Sequence, residues 1–320
     1  MKKNFIKGLF DNIFVVFVAV ALFFAITSSS SADELSFAQI SDAHYSPDKV
    51  NTSYRLNAES KSLLEDAITQ VNLTPHIDFV VFTGDMINKP RKNDLLDFIK
   101  IANTLKKPWY AAFGNHDISV GGYLSKKKYT QILGENNMTL SKIKRPYYSF
   151  TPKRGYKVII LDTIIDDRIT ANGEIDSEQV KWLDKELSRS QKDVVLIFCH
   201  VPIIEPFKSS GHKLNNDEEV LKILSKYKNP IGVFSGHYHT TKIIPKDNIL
   251  FVSTPSLVSY PNAFRIVKVL KHKDKVVFDV SFKETNLKNV QQTAKLMVFS
   301  ASKYYGEDDD RNLKYTVKRK

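Results

Sequence analysis

An α/β layered fold is the prediction for this 320-residue chain, and three observations carry it. Short runs of β-branched and aromatic residues alternate with longer segments whose apolar residues recur every three to four positions, the pattern of strands separated by helices. Five of the strand-type runs end in Asp, Asn or His, where parallel strands deliver functional groups beyond their carboxyl ends. Glycine and proline are few, twelve of each, and no repeat or low-complexity linker divides the chain, so one main domain is the simplest organisation.

The first thirty-two residues stand apart. Lys2, Lys3 and Lys7 precede Ile13–Ile26, fourteen apolar residues without a charge, and small residues follow at Ser30 and Ala32. That is the layout of a secretory signal peptide over 1–32, with an uncleaved anchor as the alternative. Fourteen residues fall short of the roughly 20 that a membrane-spanning helix needs. Either way the remainder is expected outside the cytoplasm, whether periplasmic, secreted or anchored facing outward.

From there the expected order is strand Leu35–Ile40, helix Tyr54–Val71, strand Asp78–Thr83, helix Asp94–Leu105 and strand Pro108–Phe113. Gly121–Arg145 reads as one helix plus loops, and Tyr147–Thr151 with Lys157–Asp162 as a hairpin around Gly155. Asp176-Ser177-Glu178-Gln179 starts a helix whose apolar face is Val180, Trp182, Leu183 and Leu187. Strand Val194–Cys199 and helix Glu218–Tyr227 precede a run of short strands at Ile231–Ser235, Lys242–Ile244, Leu250–Ser253, Phe264–Leu270 and Lys275–Phe282. The domain thus covers 33–285. Residues 286–320 are expected to hold a helix, Val290–Ser300, and a charged tail whose acidic run and basic end are solvated. Membrane contact is expected only through the N-terminus or that basic tail.

Composition narrows the class. An apolar content of 42% with 26% charged residues suits a chain that buries a real core. The formal charge of +12 suits an anionic substrate, but Lys and Arg are scattered, which argues against a nucleic-acid groove. The single cysteine, Cys199, excludes an internal disulfide and reads as a small buried hydrophobe.

The strand ends carry the chemistry. Phe37–Ile40 runs into Ser41-Asp42-Ala43-His44, Phe79–Phe82 into Thr83-Gly84-Asp85, and Trp109–Ala112 into Phe113-Gly114-Asn115-His116-Asp117. Val194–Phe198 runs into Cys199-His200, and Ile231–Phe234 into Ser235-Gly236-His237-Tyr238-His239. Singly, each is an ordinary turn or a satisfied polar residue. Together they hold five of the eight histidines, a concentration that chance does not usually produce. Asp42 and His44 can reach one ion if the backbone turns between them, His237 and His239 can serve two, and the two oxygens of Asp85 can bridge a pair. Donors of this kind without thiolates suit Mn, Fe, Zn, Co or Ni. Two such ions about 3.5–4 Å apart polarise a phosphoryl group and lower the pKa of water. Of the other histidines, His76 and His272 read as surface residues and His212 as a substrate contact in a loop near the site.

The series Asp-x-His, Gly-Asp, Gly-Asn-His-Asp, His and Gly-His-x-His, spread over residues 42–239, resembles the calcineurin-like metallophosphoesterase superfamily. The resemblance implies a four-layer αββα sandwich, two packed mixed β-sheets flanked by helices, around a dinuclear centre. It gives one ion Asp42, His44, Asp85 and His239, and the other Asp85, Asn115, His200 and His237, with a hydroxide between them attacking phosphorus. It makes His116 the group that assists the departing oxygen and Asp117 the residue that orients His116. The intact Asp42-Ala43-His44 is similar to the cyclic-nucleotide and glycerophosphodiester phosphodiesterase branch, and Thr254-Pro255-Ser256 resembles that branch's substrate-side loop. No tyrosine follows Gly84-Asp85, unlike the tyrosinate-iron acid phosphatases. The expectation is an exported, metal-dependent phosphoesterase acting on a small anionic phosphate ester, diester favoured over monoester. The alternatives are a catalytically silent metal-binding protein that recognises a phosphorylated ligand, and an exported nuclease.

Overall fold

Two six-stranded sheets face each other in the computed structural model, which describes residues 33–319. The signal expected over 1–32 lies outside the described residues. The first sheet holds β1 (Asp33–Ile40), β2 (Phe79–Thr83), β3 (Trp109–Ala112), β10 (Ala263–Lys271), β11 (Lys275–Glu284) and β12 (Leu313–Lys318), in the order β12-β11-β10-β1-β2-β3. The second holds β4 (Tyr148–Phe150), β5 (Tyr156–Ile160), β6 (Val194–Phe198), β7 (Ile231–Ser235), β8 (Lys242–Lys246) and β9 (Ile249–Ser253), in the order β4-β5-β6-β7-β9-β8. Both are mixed. β1, β2 and β3 pair in parallel, as do β5, β6, β7 and β9, whereas β4, β8, β11 and β12 pair antiparallel.

The layering follows from side chains that alternate across each strand. Leu35 and Phe37 of β1, Phe79 and Val81 of β2, Val158 and Ile160 of β5, and Leu196 and Phe198 of β6 belong to one buried cluster drawn from both sheets. Phe37 sits at its centre, its ring 5.4 Å from Phe79, 5.1 Å from Phe198 and 5.0 Å from Phe234. The opposite faces, Ala38 and Ile40, Val80 and Phe82, Val195 and Ile197, join the helices in a second cluster. On the first sheet the helices are α1 (Ser60–Leu73) and α2 (Lys92–Ala102), and α3 (Lys126–Asn136) follows β3. α4 (Ser177–Arg189) and α5 (Asp217–Ser225) connect strands of the second. The four-layer αββα sandwich is the architecture observed. Among the described residues no helix is long and apolar enough to cross a membrane.

Two expectations are corrected. The first helix does not begin at Tyr54. Residues 52–56 form a loop in which Arg55 N–H donates to Thr52 Oγ1 (3.0 Å) and Leu56 N–H to the Val258 carbonyl (2.7 Å). A short 3₁₀ turn, Asn57–Glu59, then leads into α1. The C-terminal segment is not a solvated tail. After α6 (Lys288–Leu296), α7 (Ala301–Tyr305) and α8 (Asp308–Arg311), it closes the edge of the first sheet as β12. Asp310 of the acidic run is buried, accepting from Ile243 N–H and Lys242 Nζ (both 3.1 Å). The buried Arg265 donates to the Asp310 carbonyl (2.9 Å) and the Ser253 carbonyl (3.1 Å), fastening the segment to both sheets.

Candidate metal centre

The carboxyl ends of β1, β2, β3, β6 and β7 converge, and the expected residues converge with them. Asp42, His44, Asp85, His200, His237 and His239 are all buried, and Asn115 and His116 are half-buried. The backbone that achieves this is unusual. Asp42 (φ 52°), His44 (39°), Asp85 (50°), His237 (70°) and His239 (51°) are all left-handed, a conformation non-glycine residues rarely adopt and one that concentrates at functional sites. It turns Asp42 and His44, two residues apart, toward the same point, and does the same for His237 and His239.

The donor atoms crowd one space. Asp42, His44 and His239 offer ligand atoms within 4.8 Å of one another, as do Asp42, Asp85 and His200. Asp85 Oδ2 stands 3.5 Å from both His44 Nε2 and His200 Nε2. His44 Nε2 and His239 Nε2 approach to 3.3 Å, and His200 Nε2 lies 3.1 Å from His237 Nδ1 and 3.2 Å from Asn115 Oδ1. His237 Nε2 is buried without a hydrogen-bond partner, and Asp42 Oδ1 meets only the His239 ring nitrogen, at 3.2 Å, a costly arrangement for polar atoms unless a cation joins them. These residues therefore fit divalent metal, through oxygen and imidazole donors. The outer contacts fit it too: His200 Nδ1–H donates to the Thr83 carbonyl (2.8 Å) and His239 Nδ1 pairs with Ser259 Oγ (3.0 Å), which aims both Nε2 atoms inward.

Electrostatics hold the two carboxylates, His44 and His237 in ligand form but keep His200 protonated, so an ion bound there must displace its proton. Burial would raise the Asp85 carboxyl, but the His200 and His116 charges outweigh it and hold it well below the ordinary value. Burial likewise opposes ionisation of Asp42, and His239 overrides it. His237 is pushed down to about 3, chiefly by burial, and His44 also falls well below its usual value for that reason. Burial pulls His200 down, but the Asp85 carboxylate more than offsets it and sets the imidazole at about 9.

His116 lies at the edge. Its amide donates to Asp85 Oδ1 (2.8 Å) and its Nδ1–H to the Asn88 carbonyl (2.9 Å), leaving Nε2 to face the site. Here Asp117 is corrected. Its carboxylate accepts the amides of Gly114 (2.9 Å) and Ile87 (3.1 Å), so it braces the turn, and Asn88 orients His116. The expected substrate-side loop is likewise behind the ligands. Thr254 and Ser256 are fully buried, and Ser256 Oγ donates to the Asp42 carbonyl (2.8 Å). Cys199 is buried, and burial pushes its thiol up to about 12.

Arg55 and Tyr54 were not anticipated. Arg55 Nη1 lies 3.1 Å from His44 Nδ1 and 3.3 Å from His116 Nε2, and the Tyr54 ring is 6.0 Å from that of His239. A cation beside His116 suits an anionic substrate group.

Comparison with known proteins agrees with the geometry. A relative named probable glycerophosphodiester phosphodiesterase GpdQ, from Arcobacter nitrofigilis, is 26% identical over 224 residues, covering 68% of this chain and 77% of its own. A probable cyclic nucleotide phosphodiesterase from Fibrobacter succinogenes is 26% identical over 229 residues, covering 69% and 79%. The manganese-dependent ADP-ribose/CDP-alcohol diphosphatase of Oryza sativa subsp. japonica is 25% identical over 264 residues, covering 67% and 80%. The crystal structure of a dimetal phosphatase from Danio rerio shares the fold, with a TM-score of 0.61 and 18% identity over 79% of this chain and 99% of that one. The family model for calcineurin-like phosphoesterases matches residues 35–241, the stretch that builds both sheets' site-bearing ends, and the chain belongs to that family.

Proposed function

We propose that the protein is a phosphodiesterase that works with two divalent ions. The observation that carries the diester reading is that the centre lies between two cavities. One, of about 320 Å³, shares His237 and His239, and the other, of about 540 Å³, shares Asn115 and His116. A diester has an organic group on each side of phosphorus and fills both; a monoester has one. The two ligand groups that share Asp42, with Asp85 Oδ2 standing 3.5 Å from a histidine of each, support the pair of ions, and the phosphodiesterase names of relatives support the reaction class.

Bound divalent ions would polarise the phosphoryl group and make water a nucleophile near neutral pH. The chain's own residues do the rest. Asp42, Asp85 and the four histidines supply donors, with Asn115. Arg55 brings a positive charge to the phosphate oxygens. His116, its Nδ1–H held by Asn88, presents Nε2 to hand a proton to the departing oxygen.

The test compares variants after reloading with Mn²⁺. Asp85→Ala should lose bound metal and turnover together, whereas His116→Ala should keep its metal and lose roughly 10²–10⁴-fold in kcat. Wild type should cleave bis-p-nitrophenyl phosphate well above p-nitrophenyl phosphate. Faster monoester cleavage would overturn the diester reading, and intact turnover in Asp85→Ala would overturn the metal-dependent one.

A further inference from the structure

The two cavities beside the centre differ in chemistry. The one on the Asn115 and His116 side is lined by Pro90, Ile118, Val120, Ile169 and Arg168, and it has no aromatic wall beyond His116. The one on the His237 and His239 side is walled by Tyr54, Phe207, Tyr238, Tyr260 and Tyr304. Its rings are fixed. Tyr238 Oη donates to Glu205 Oε1 (2.6 Å), and the Tyr238 ring meets Phe207 edge-on at 5.0 Å and 82°. His212 closes the same wall, 5.3 Å from the His237 ring. On the outer side the wall is the C-terminal segment. α7 is tied to the loop just after His239, where Thr240 Oγ1 donates to the Lys303 carbonyl (2.7 Å) and Thr241 N–H to the Tyr304 carbonyl (3.0 Å). That segment lies beyond the residues matched by the family model, whereas Tyr54, Phe207 and Tyr238 of the same wall lie within them.

We propose that this cavity binds a planar aromatic ring on the substrate, and that the ring belongs to the group that stays on phosphorus. The inference rests on the phosphodiesterase reading and adds the class of ester to it. Several rigid aromatic faces at a cavity of about 320 Å³ suit a flat π-system better than a flexible polyol, since offset and edge-on ring contacts add to simple apolar burial. The sidedness follows from His116, which stands at the aliphatic cavity. The departing oxygen must lie within its reach, so the leaving group takes that side and the retained group takes the aromatic one. The Lys303 ammonium lies 3.6 Å from the Phe207 ring centroid, a cation–π contact that holds this ring of the wall.

The experiment uses the full chain reloaded with Mn²⁺ and two inert probes, phenylphosphonate and methylphosphonate, with binding measured by calorimetry. Turnover of bis-p-nitrophenyl phosphate is followed in parallel. Phenylphosphonate should bind at least about tenfold more tightly than methylphosphonate. In Tyr304→Ala the gap should fall to within about threefold, with methylphosphonate affinity unchanged. Phe207→Ala, on a loop outside α7, should do the same and keeps the test standing if Tyr304→Ala does not fold. Equal affinities in wild type with turnover intact would overturn the aromatic cavity and leave the phosphodiesterase reading in place. A phenyl preference that depends on Tyr304, without turnover, would support the cavity and overturn the enzyme. Binding of neither probe, without turnover, would overturn both.

Discussion

At the scale of single residues, the site depends on how closely the backbone of one tip approaches the side chains of another. Gly236 shows this best, because a methyl group there would overlap Ser41 Oγ and Asp42 Oδ2. Asp42 Oδ2 already accepts from Ser41 Oγ (2.5 Å) and the His237 amide (3.0 Å), so no slack is left for it to retreat. Gly236→Ala is expected to push Asp42 off the ligand position and lower kcat/KM by about 10²-fold, the usual effect of an ångström-scale misplacement. Metal content and turnover together check it, and wild-type values for both would mean the tips are more compliant than the packing implies. Residue types at the tips were legible in the sequence, since five strands each ended in a donor. Their left-handed backbone was not, because Asp and His are only enriched in that conformation and, unlike glycine, do not mark it. Tyr54 and Arg55 were hidden for a related reason. Their loop is set by Thr52 Oγ1 and the Val258 carbonyl, contacts that leave no periodicity to read. The role expected of Asp117 fails because its carboxylate is taken up by the Gly114 and Ile87 amides, which leaves the His116 ring to the Asn88 carbonyl.

At the scale of elements, the helices that bury one face and the parallel strands that bury both are legible in the sequence, and the errors fall at ends. α4 is the clearest success: Asp176 Oδ1 accepts from Gln179 N–H (2.8 Å) as the N-cap, and Val180, Leu183 and Leu187 are buried. β12 shows the opposite. Leu313, Tyr315 and Val317 alternate with polar residues, which is a strand signal, but the run of charge before it and the lysines within it pointed to solvent. The outer side of α4 is tied to the second sheet by Glu186, which accepts from Lys157 Nζ (2.9 Å) on β5 and from Ser149 Oγ (2.6 Å) on β4. Burial raises the Glu186 carboxyl, but these hydrogen bonds and the Lys157 charge outweigh it and set it below its ordinary 4.5. A carboxylate with a depressed folded pKa adds stability above its unfolded value, and that contribution disappears as pH falls through the folded one. Glu186→Gln should therefore cost about 1.5 kcal/mol at pH 7, with the deficit shrinking as pH drops below 4.5. Denaturant unfolding at several pH values checks the sign. A deficit that stays constant down to pH 3 would mean the charge plays no part.

At the scale of the whole molecule, the centre is assembled from both sheets. Asp42, His44, Asp85 and Asn115 follow strands of the first, and His200, His237 and His239 follow strands of the second. The spacing of the sheets at that end therefore sets whether the two halves of the donor set can meet. Most of the interface is a layer of aromatic and aliphatic side chains, which is non-directional and tolerates sliding. A few polar bridges interrupt it, among them Tyr156 Oη to the Val269 carbonyl (3.1 Å) and Arg265 to the Ser253 carbonyl (3.1 Å), and Gln39 is the one nearest the site. Its buried amide donates to Thr83 Oγ1 (3.0 Å) within its own sheet and to the Ser235 carbonyl (3.1 Å) of the other, and its oxygen accepts from Thr254 Oγ1 (2.6 Å). Such a fully satisfied polar bridge fixes register where apolar packing alone does not. A sequence reader sees Gln39 only as a polar residue inside an apolar strand, because its partners are 44, 196 and 215 residues away. Gln39→Leu keeps the volume and removes all three bonds, leaving two hydroxyls and a carbonyl buried, so it should lower stability by about 3 kcal/mol. Urea unfolding of the two proteins checks this through a lower midpoint at unchanged m-value. A loss under about 0.5 kcal/mol, within the range of neutral surface changes, would mean that the aromatic layer around Phe37 holds the sheets in register without the bridge.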